Sequence, residues 1–177
     1  MEYLDDVDRI ETDKDYCFFD KHFAMAEIRD RQKRYDDERS ELAQIATKAN
    51  IAATSTSDTA LRREYFDLYN KAQVLIGESY LKSEPPAYNK AYATFSIVAA
   101  GARDPDSEYA REENSENGAD IDLETSWIEQ AVYRAAHTAA ILGKTEERDH
   151  LIRIYRSNFP GGDYFNAIGT LPQSQAQ

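Results

Sequence analysis

The sequence lacks the features that mark membrane-spanning, secreted and disulfide-bonded proteins. No apolar run approaches the roughly 18 residues that a transmembrane helix requires. Residues 1–15 are acidic and contain neither a basic region nor an apolar core, so they do not resemble a secretion signal. The single cysteine, Cys17, excludes an intramolecular disulfide framework. The cytoplasm is therefore the expected compartment, and the bacterial envelope is the alternative if a signal peptide has been removed.

The residue patterns of catalytic and cofactor sites are also missing. There is no G-x-S-x-G motif, no phosphate-binding glycine loop and no dinucleotide fingerprint. The histidines His22, His137 and His150 do not pair with one another or with carboxylates at metal-ligand spacing. Cys17 lies in an aromatic cluster, which is typical of a core cysteine. We therefore expect no enzymatic activity, no metal site and no cofactor.

Basic residues are scarce relative to acidic ones, and the formal net charge is −12. Residues 1–15 hold seven acidic and two basic residues, and residues 104–129 hold ten acidic residues and only Arg111. A nucleic-acid-binding surface needs a basic stripe, so direct nucleic-acid binding is not expected. The acidic residues of a candidate partner-attracting loop are Asp104, Asp106, Glu108, Glu112, Glu113, Glu116, Asp120 and Asp122.

Helical periodicity is what the sequence has in abundance. Apolar residues spaced three and four apart predict a helix over residues 59–82, for which Ser57 or Asp58 is a suitable cap. The pair Pro85-Pro86 cannot lie inside a helix, so the pattern that resumes after it predicts a second, antiparallel helix. Further helices are predicted over residues 123–142, with Gly143 as C-cap, and from a Thr145 cap to the stop at Asn158-Phe159-Pro160.

Residues 16–50 allow two interpretations. Asp15 is a suitable cap for a helix that begins at Tyr16, and apolar residues recur to Ala49. Because no glycine or proline interrupts this stretch, we favour one long or gently broken helix over a hairpin that bends near Tyr35–Asp37.

These patterns predict an all-α fold of antiparallel helical hairpins, stacked as a short α-solenoid of about five to six helices. Residues 1–14 are predicted to be a flexible acidic arm, and residues 15–168 a single domain. A mobile acidic loop is expected at residues 104–122, because this segment has too few apolar residues to fold alone. Residues 169–177 form a polar tail.

The first hairpin resembles the tetratricopeptide repeat. The matching residues are Ile76-Gly77-x-x-Tyr80, Tyr88-x-x-Ala91-x-x-x-Phe95 and Pro105, which resemble L-G-x-x-Y, A-x-x-x-F and a closing proline. The resemblance is best over residues 72–105, and residues 127–160 match at fewer positions. It implies that Gly77 and Ala91 lie where the two helices approach most closely, beside Tyr80 and Phe95.

The resemblance also implies a function. In this family, first-helix residues that lie off the packing stripe line a groove for a peptide or a partner helix. Aligned on Gly77 and Ala136, the groove residues implied here are Lys71, Val74, Glu78, Lys82, Gln130, Tyr133 and His137. The leading hypothesis is therefore a non-enzymatic adaptor or scaffold that binds another protein.

Two alternatives remain open at this point. The chain is an acidic decoy if its acidic arm and loop bind a basic, nucleic-acid-binding partner. It is a structural subunit, and a homo-oligomer, if it self-associates through the face that carries Phe18, Phe19 and Phe23.

Overall fold

The computed structural model describes residues 2–105 and 126–171, with side chains from Cys17 to Pro105 and from Trp127 to Leu171. Within these residues there are seven helices and no strand. They are α1 (Glu2–Arg31), α2 (Tyr35–Ser55), α3 (Thr59–Lys82), α4 (Tyr88–Ala99), α5 (Ser126–Ile141), α6 (Thr145–Asn158) and α7 (Phe165–Ile168). The predicted all-α class of helical hairpins is confirmed.

The chain divides into two compact units, Met1–Ala72 (unit 1) and Gln73–Gln177 (unit 2). The sequence predicted a single domain over residues 15–168, and this domain assignment stays a prediction. Periodicity shows which side of a helix is buried, but it does not show which other helix buries it. The division falls within α3, so the first part of that helix belongs to unit 1 and the last part to unit 2.

Unit 1 contains a helical hairpin of α1 and α2, joined at residues 32–34. Lys33 adopts a left-handed conformation with φ of 58°. The N–H of Arg34 donates to the carbonyl of Arg29, and the N–H of Lys33 donates to that of Asp30, which together form a Schellman turn. The favoured long helix is therefore wrong, and the hairpin interpretation is correct to within a few residues. This turn has no glycine to mark it in the sequence, because a lysine occupies the position that usually holds glycine.

Helix α1 also begins earlier than the sequence indicated. Residues 2–14 were predicted to be a flexible arm, with Asp15 as the cap of the helix that follows. They instead continue the same helix as residues 15–31. Opposite charges and apolar residues spaced three and four apart are compatible with a helix as well as with an arm.

The core of unit 1 is built from the facing sides of this hairpin. Phe19, Leu42 and Ile45 are almost completely buried. The ring of Tyr65 from α3 lies 6.0 Å from that of Phe19. Because Phe19 is a core residue, the three-phenylalanine face proposed for self-association is not a continuous exposed surface.

Unit 2 begins with the close approach of α3 and α4. A Cβ added at Gly77 would lie 2.7 Å from Cζ of Phe95, a separation that atoms do not tolerate without movement. Phe95 and Ala91 are completely buried. Gly77 therefore lies close to Phe95, as expected, and the helices break around Pro85-Pro86 as predicted.

Helix α5 packs against both α4 and α6. Its buried side is rich in alanine, which permits this close packing, and Ala131, Ala135, Ala136 and Ala139 are completely buried. Gly143 has φ of 71° and makes the same Schellman turn between α5 and α6 that Lys33 makes in unit 1. Thr145 is the first residue of α6 and not its cap.

The segment after α6 is the part of unit 2 that the sequence did not anticipate. Helix α6 ends at Asn158, as predicted, but the chain then folds back and forms the single turn of α7. Phe159 and Ile168 are buried, so this segment contributes to the core of the unit.

Candidate functional site

The structure brings three of the seven predicted groove residues together on α3 and α5. Nε of Arg134 on α5 lies 2.6 Å from Oε1 of Glu78 on α3, and both side chains are more than half buried. Tyr133 and His137 lie on the same helix as Arg134 and are half-buried. We call Glu78, Tyr133, Arg134 and His137 the α3–α5 surface. Arg134 was not among the predicted groove residues.

The ion pair of this surface is held by charge and not by aligned hydrogen bonds. Nε of Arg134 and Oε1 of Glu78 are both buried, and neither is in an aligned hydrogen bond within the part of the chain that the structure describes. At 2.6 Å in a partly desolvated position, the opposite charges still attract strongly. The pair therefore sets Glu78 and Arg134 in place but leaves directional bonding capacity unused.

His137 presents a buried nitrogen in the same place. Its Nδ1 is buried and has no hydrogen-bond partner among residues 17–105 and 127–171. Burial lowers the pKa of His137 below 6.5, the nearby Arg134 guanidinium lowers it further, and Glu78 opposes this shift. The imidazole is therefore held in its neutral form at neutral pH, and its unused nitrogen can donate or accept one hydrogen bond.

Tyr133 is covered on one face by a second tyrosine. The ring of Tyr164, from the segment after α6, stacks on it with centroids 4.4 Å apart and planes 10° apart. The guanidinium carbon of Arg134 lies 5.9 Å from the Tyr133 ring centroid. Sequence reasoning missed Tyr164, because it lies in a Gly-Gly-Asp-Tyr stretch without helical periodicity.

A buried hydrogen-bond network holds Tyr164 in this position. The Tyr155 hydroxyl donates to Oε1 of Glu129, and it accepts the backbone N–H of Tyr164 at 2.9 Å. Burial and the Glu129 carboxylate raise the pKa of Tyr155, so the phenol stays protonated and can donate. A Cβ at Gly162 would lie 2.6 Å from the Tyr155 hydroxyl, so this position requires glycine.

The other predicted groove residues are located elsewhere. Val74 is completely buried in the core of unit 2, so its side chain cannot line a groove, and this prediction needs correction. Lys71 lies in unit 1, with its Nζ 4.3 Å from the Phe23 ring centroid. Lys82 is the exposed last residue of α3, and Gln130 is half-buried in the first turns of α5.

Of the predicted acidic loop over residues 104–122, the structure describes only Asp104 and Pro105. There, Oδ2 of Asp104 lies 3.6 Å from Nε2 of His150. Asp106, Glu108, Glu112, Glu113, Glu116, Asp120 and Asp122 lie outside the described residues.

The remaining candidates for chemistry are few. No group of three or more histidine, cysteine, aspartate or glutamate side chains could hold a metal ion within the described residues. Cys17 is exposed, contrary to the core position expected for it. Unit 1 carries an open groove of about 540 Å³, lined by Phe18 of α1 and by α2 side chains that include Gln44, Lys48 and Ile51.

Comparisons with known proteins complete this description. No family model, curated protein or solved structure matches the chain. Among the helices that the structure describes, none has the length and apolar character needed to cross a membrane.

Proposed function

We propose that this chain is a non-enzymatic protein-interaction module that binds a peptide or a helix of another protein on the α3–α5 surface. The observation that carries the proposal is the ion pair between Glu78 and Arg134, which joins the first helices of two successive hairpins. In a tetratricopeptide-like arrangement, the first helices of the hairpins line the binding groove. The order of packing in unit 2, with α4 against α5 and α5 against α6, agrees with such an arrangement.

The composition of the surface supports the same proposal. Tyrosine and arginine are the residues most enriched among those that dominate binding energy at protein interfaces. The buried atoms on Glu78, Arg134 and His137 that lack aligned partners within the described residues are groups that a bound peptide backbone can satisfy. The tightly packed, alanine-rich side of α5 holds these groups on a rigid helix, which lowers the entropy lost on binding.

The proposal is tested by capture of partners from a lysate of the source cell, with the intact chain as bait. The informative variant is the double exchange Glu78→Arg/Arg134→Glu, which keeps an ion pair between α3 and α5 but reverses its direction. We expect the wild-type bait to retain a specific protein at both about 0.1 M and about 0.5 M salt, and the exchange variant to lose it.

A matched control is Arg153→Ala, which removes an exposed charge from α6. Circular dichroism of all baits shows whether they remain folded. A protein that is retained equally by the wild type and by the folded exchange variant contradicts binding at the α3–α5 surface.

The second candidate function, the acidic decoy, is favoured by the net charge of −12 and by the acidic residues between 104 and 129. A decoy binds by long-range attraction, so its partner is retained only at the lower salt concentration. Deletion of residues 104–122 from the bait abolishes that retention if the decoy is correct, and leaves the retention unchanged if the α3–α5 surface binds the partner.

A further inference from the structure

The aromatic position of the α3–α5 surface is already occupied by the chain itself. Tyr164 stacks on Tyr133, in parallel and at close contact. Tyr164 does not belong to any of the hairpins but to the segment that follows α6. A residue of the proposed binding surface is thus covered by a piece of chain that arrives from its own C-terminal side.

The connection of this segment to α6 is suited to movement. Pro160, Gly161 and Gly162 follow the end of the helix, and a Cβ added at Gly161 would meet no atom within 4 Å. Pro160 and Gly161 are exposed, whereas Gly162 is half-buried and packs against the Tyr155 hydroxyl. Because glycine has more backbone freedom than any other residue, the exposed Pro160–Gly161 connection can act as a hinge.

Few side chains anchor the segment beyond the hinge. Ile168 is completely buried, Tyr164 is half-buried against Tyr133, and Leu171 is half-buried against the core of the unit. Phe165 is 38% exposed, and α7 is a helix of only four residues. Segments that bury few apolar side chains open at a lower free energy than the helices of a core.

The hydrogen-bond network is also compatible with release. When the Tyr164 N–H leaves, the Tyr155 hydroxyl still donates to the Glu129 carboxylate. The half-buried Glu129 carboxylate therefore keeps a donor in both states, and the opening of the segment does not leave its charge without a partner.

We propose that residues 162–171 form a strap that closes over Tyr133 and opens as one unit about Pro160–Gly161, which uncovers the aromatic part of the α3–α5 surface. This inference rests on the proposed function, because the strap regulates access to the surface that binds the partner. A partner that binds there must displace Tyr164. The partner's apparent affinity is therefore its intrinsic affinity multiplied by the fraction of molecules whose strap is open.

Native-state hydrogen exchange of the full chain, followed by NMR, tests the strap without any partner. The amide of Tyr164 donates to the Tyr155 hydroxyl, outside the strap, and reports directly on its opening. The amide of Ile168 donates to the Tyr164 carbonyl within α7, and because one isolated helical turn is not stable in water, this amide also loses its protection when the strap opens. The interior amides of α5 report on unfolding of the unit. We expect the two strap amides to exchange together, at least about 100-fold faster than those of α5. Opening of the strap also exposes the Tyr133 ring, so we expect the rate of Tyr133 nitration by tetranitromethane to change in parallel with the exchange rate of the strap amides.

The variant Tyr164→Leu removes the stacking contact but keeps an apolar side chain. Aromatic stacking of this kind is worth enough to accelerate strap exchange by roughly 3- to 10-fold when it is lost. Nitration of Tyr133 should increase by the same factor, while exchange in α5 stays unchanged. The control Phe165→Ala alters the exposed neighbour and should leave both measurements as in the wild type.

Three results overturn the strap. The amides of Tyr164 and Ile168 exchange at the rate of α5, which makes the segment a permanent part of the core. Only Tyr164 exchanges quickly while Ile168 remains protected, which indicates local fraying. The strap opens but nitration of Tyr133 does not follow. None of these measurements involves a partner. A negative result here therefore contradicts only the strap proposal, whereas the adaptor proposal is tested separately by the capture experiment.

Discussion

The two units join consecutive helices by the same type of turn, but different residues form it. In each of them, two helices are joined by a Schellman turn whose next-to-last residue is left-handed, Lys33 in unit 1 and Gly143 in unit 2. Glycine adopts this conformation without strain, whereas the Cβ of lysine opposes it. The comparison shows that hydrogen bonding and core burial are sufficient to form the turn, and that glycine makes it easier and visible in the sequence.

The units also differ in the hydrogen bonding of a histidine Nδ1 atom, that of His22 in unit 1 and that of His137 in unit 2. In unit 1, Nδ1 of His22 lies 2.6 Å from a carboxylate oxygen of Glu41. In unit 2, His137 has the Arg134 guanidinium nearby, and its Nδ1 lacks a hydrogen-bond partner among the described side chains and backbone. The first arrangement satisfies a buried polar group, and the second leaves bonding capacity for a ligand. This difference supports the proposed binding surface in unit 2.

The largest expected effect concerns the close approach of Gly77 and Phe95 in unit 2. Gly77→Ala places a Cβ against the buried Phe95 ring, and we expect a loss of about 1–3 kcal/mol in unfolding free energy. This loss should outweigh the gain of up to about 1 kcal/mol in helix propensity. Urea denaturation followed by circular dichroism measures it.

Gly161→Ala is the matched control, because nothing lies near its added Cβ. It should change stability by less than about 0.5 kcal/mol. The double variant Gly77→Ala/Phe95→Leu should be less destabilised than the sum of the single variants. Full additivity would mean that the two side chains do not compete for the same space.

The next prediction concerns the buried network of unit 2. Tyr155→Phe removes the hydroxyl that donates to Glu129 and that is the nearer acceptor of the Tyr164 N–H, which keeps only a longer bond of 3.4 Å to Oε1 of Glu129. Since buried groups then lose partners, we expect a loss of about 1–3 kcal/mol in the free energy of unfolding, measured by the same denaturation. Tyr88→Phe, on the half-buried first turn of α4, is the control and should have a much smaller effect. Equal effects of the two changes would argue that the network is not stabilising.

The turns allow a test with opposite signs. Gly143→Ala should destabilise the chain by about 1–2 kcal/mol, although the added Cβ has free space, because only the backbone conformation opposes it. Lys33→Gly should relieve the corresponding strain in unit 1 and stabilise the chain by up to about 1 kcal/mol. Thermal unfolding of both variants measures the two shifts. Shifts of the same sign would contradict the equivalence of the turns.

The smallest expected effect is a pH dependence. Because the pKa of His137 is lower in the folded than in the unfolded state, the unfolded state takes up a proton first on acidification. The contribution to stability is present above about 6.5 and is lost as the pH falls toward the folded pKa. Between about pH 7 and pH 5, wild-type stability should fall more than that of His137→Gln.

Arg134→Gln provides the intermediate case. It removes one cause of the lowered pKa but leaves the burial, so its stability should fall by an amount between those of the wild type and His137→Gln. If all three proteins lose equal stability over this range, His137 does not couple to folding.

Sequence periodicity was a good guide wherever the burial pattern was local. The stripe of Ala91, Phe95 and Val98 is buried as predicted, and so is that of Leu42, Ile45 and Ala49. Asp58 caps α3, with its Oδ1 accepting the N–H groups of Ala60 and Leu61. These features depend on the spacing of residues along one helix, and a helix has a fixed repeat.

Prediction of the candidate site was less complete, because the site combines separate elements. The resemblance to the tetratricopeptide repeat indicated Glu78, Tyr133 and His137 but not Arg134, which completes the ion pair. Val74 was assigned to the groove because it lies off one stripe, yet it is buried in the core. Tyr164 had no sequence signal, because its position depends on a buried network with Glu129 and Tyr155.

The sequence by itself determined helices α3 to α6, the break at Pro85-Pro86, the cap at Asp58 and the close position at Gly77, since each depends on local backbone preferences or side-chain volume. Only the tertiary structure decided the division into two units, the left-handed turn at Lys33 and the coverage of Tyr133 by Tyr164. These features depend on which distant groups meet, and contacts between distant residues leave no periodic pattern in a single chain.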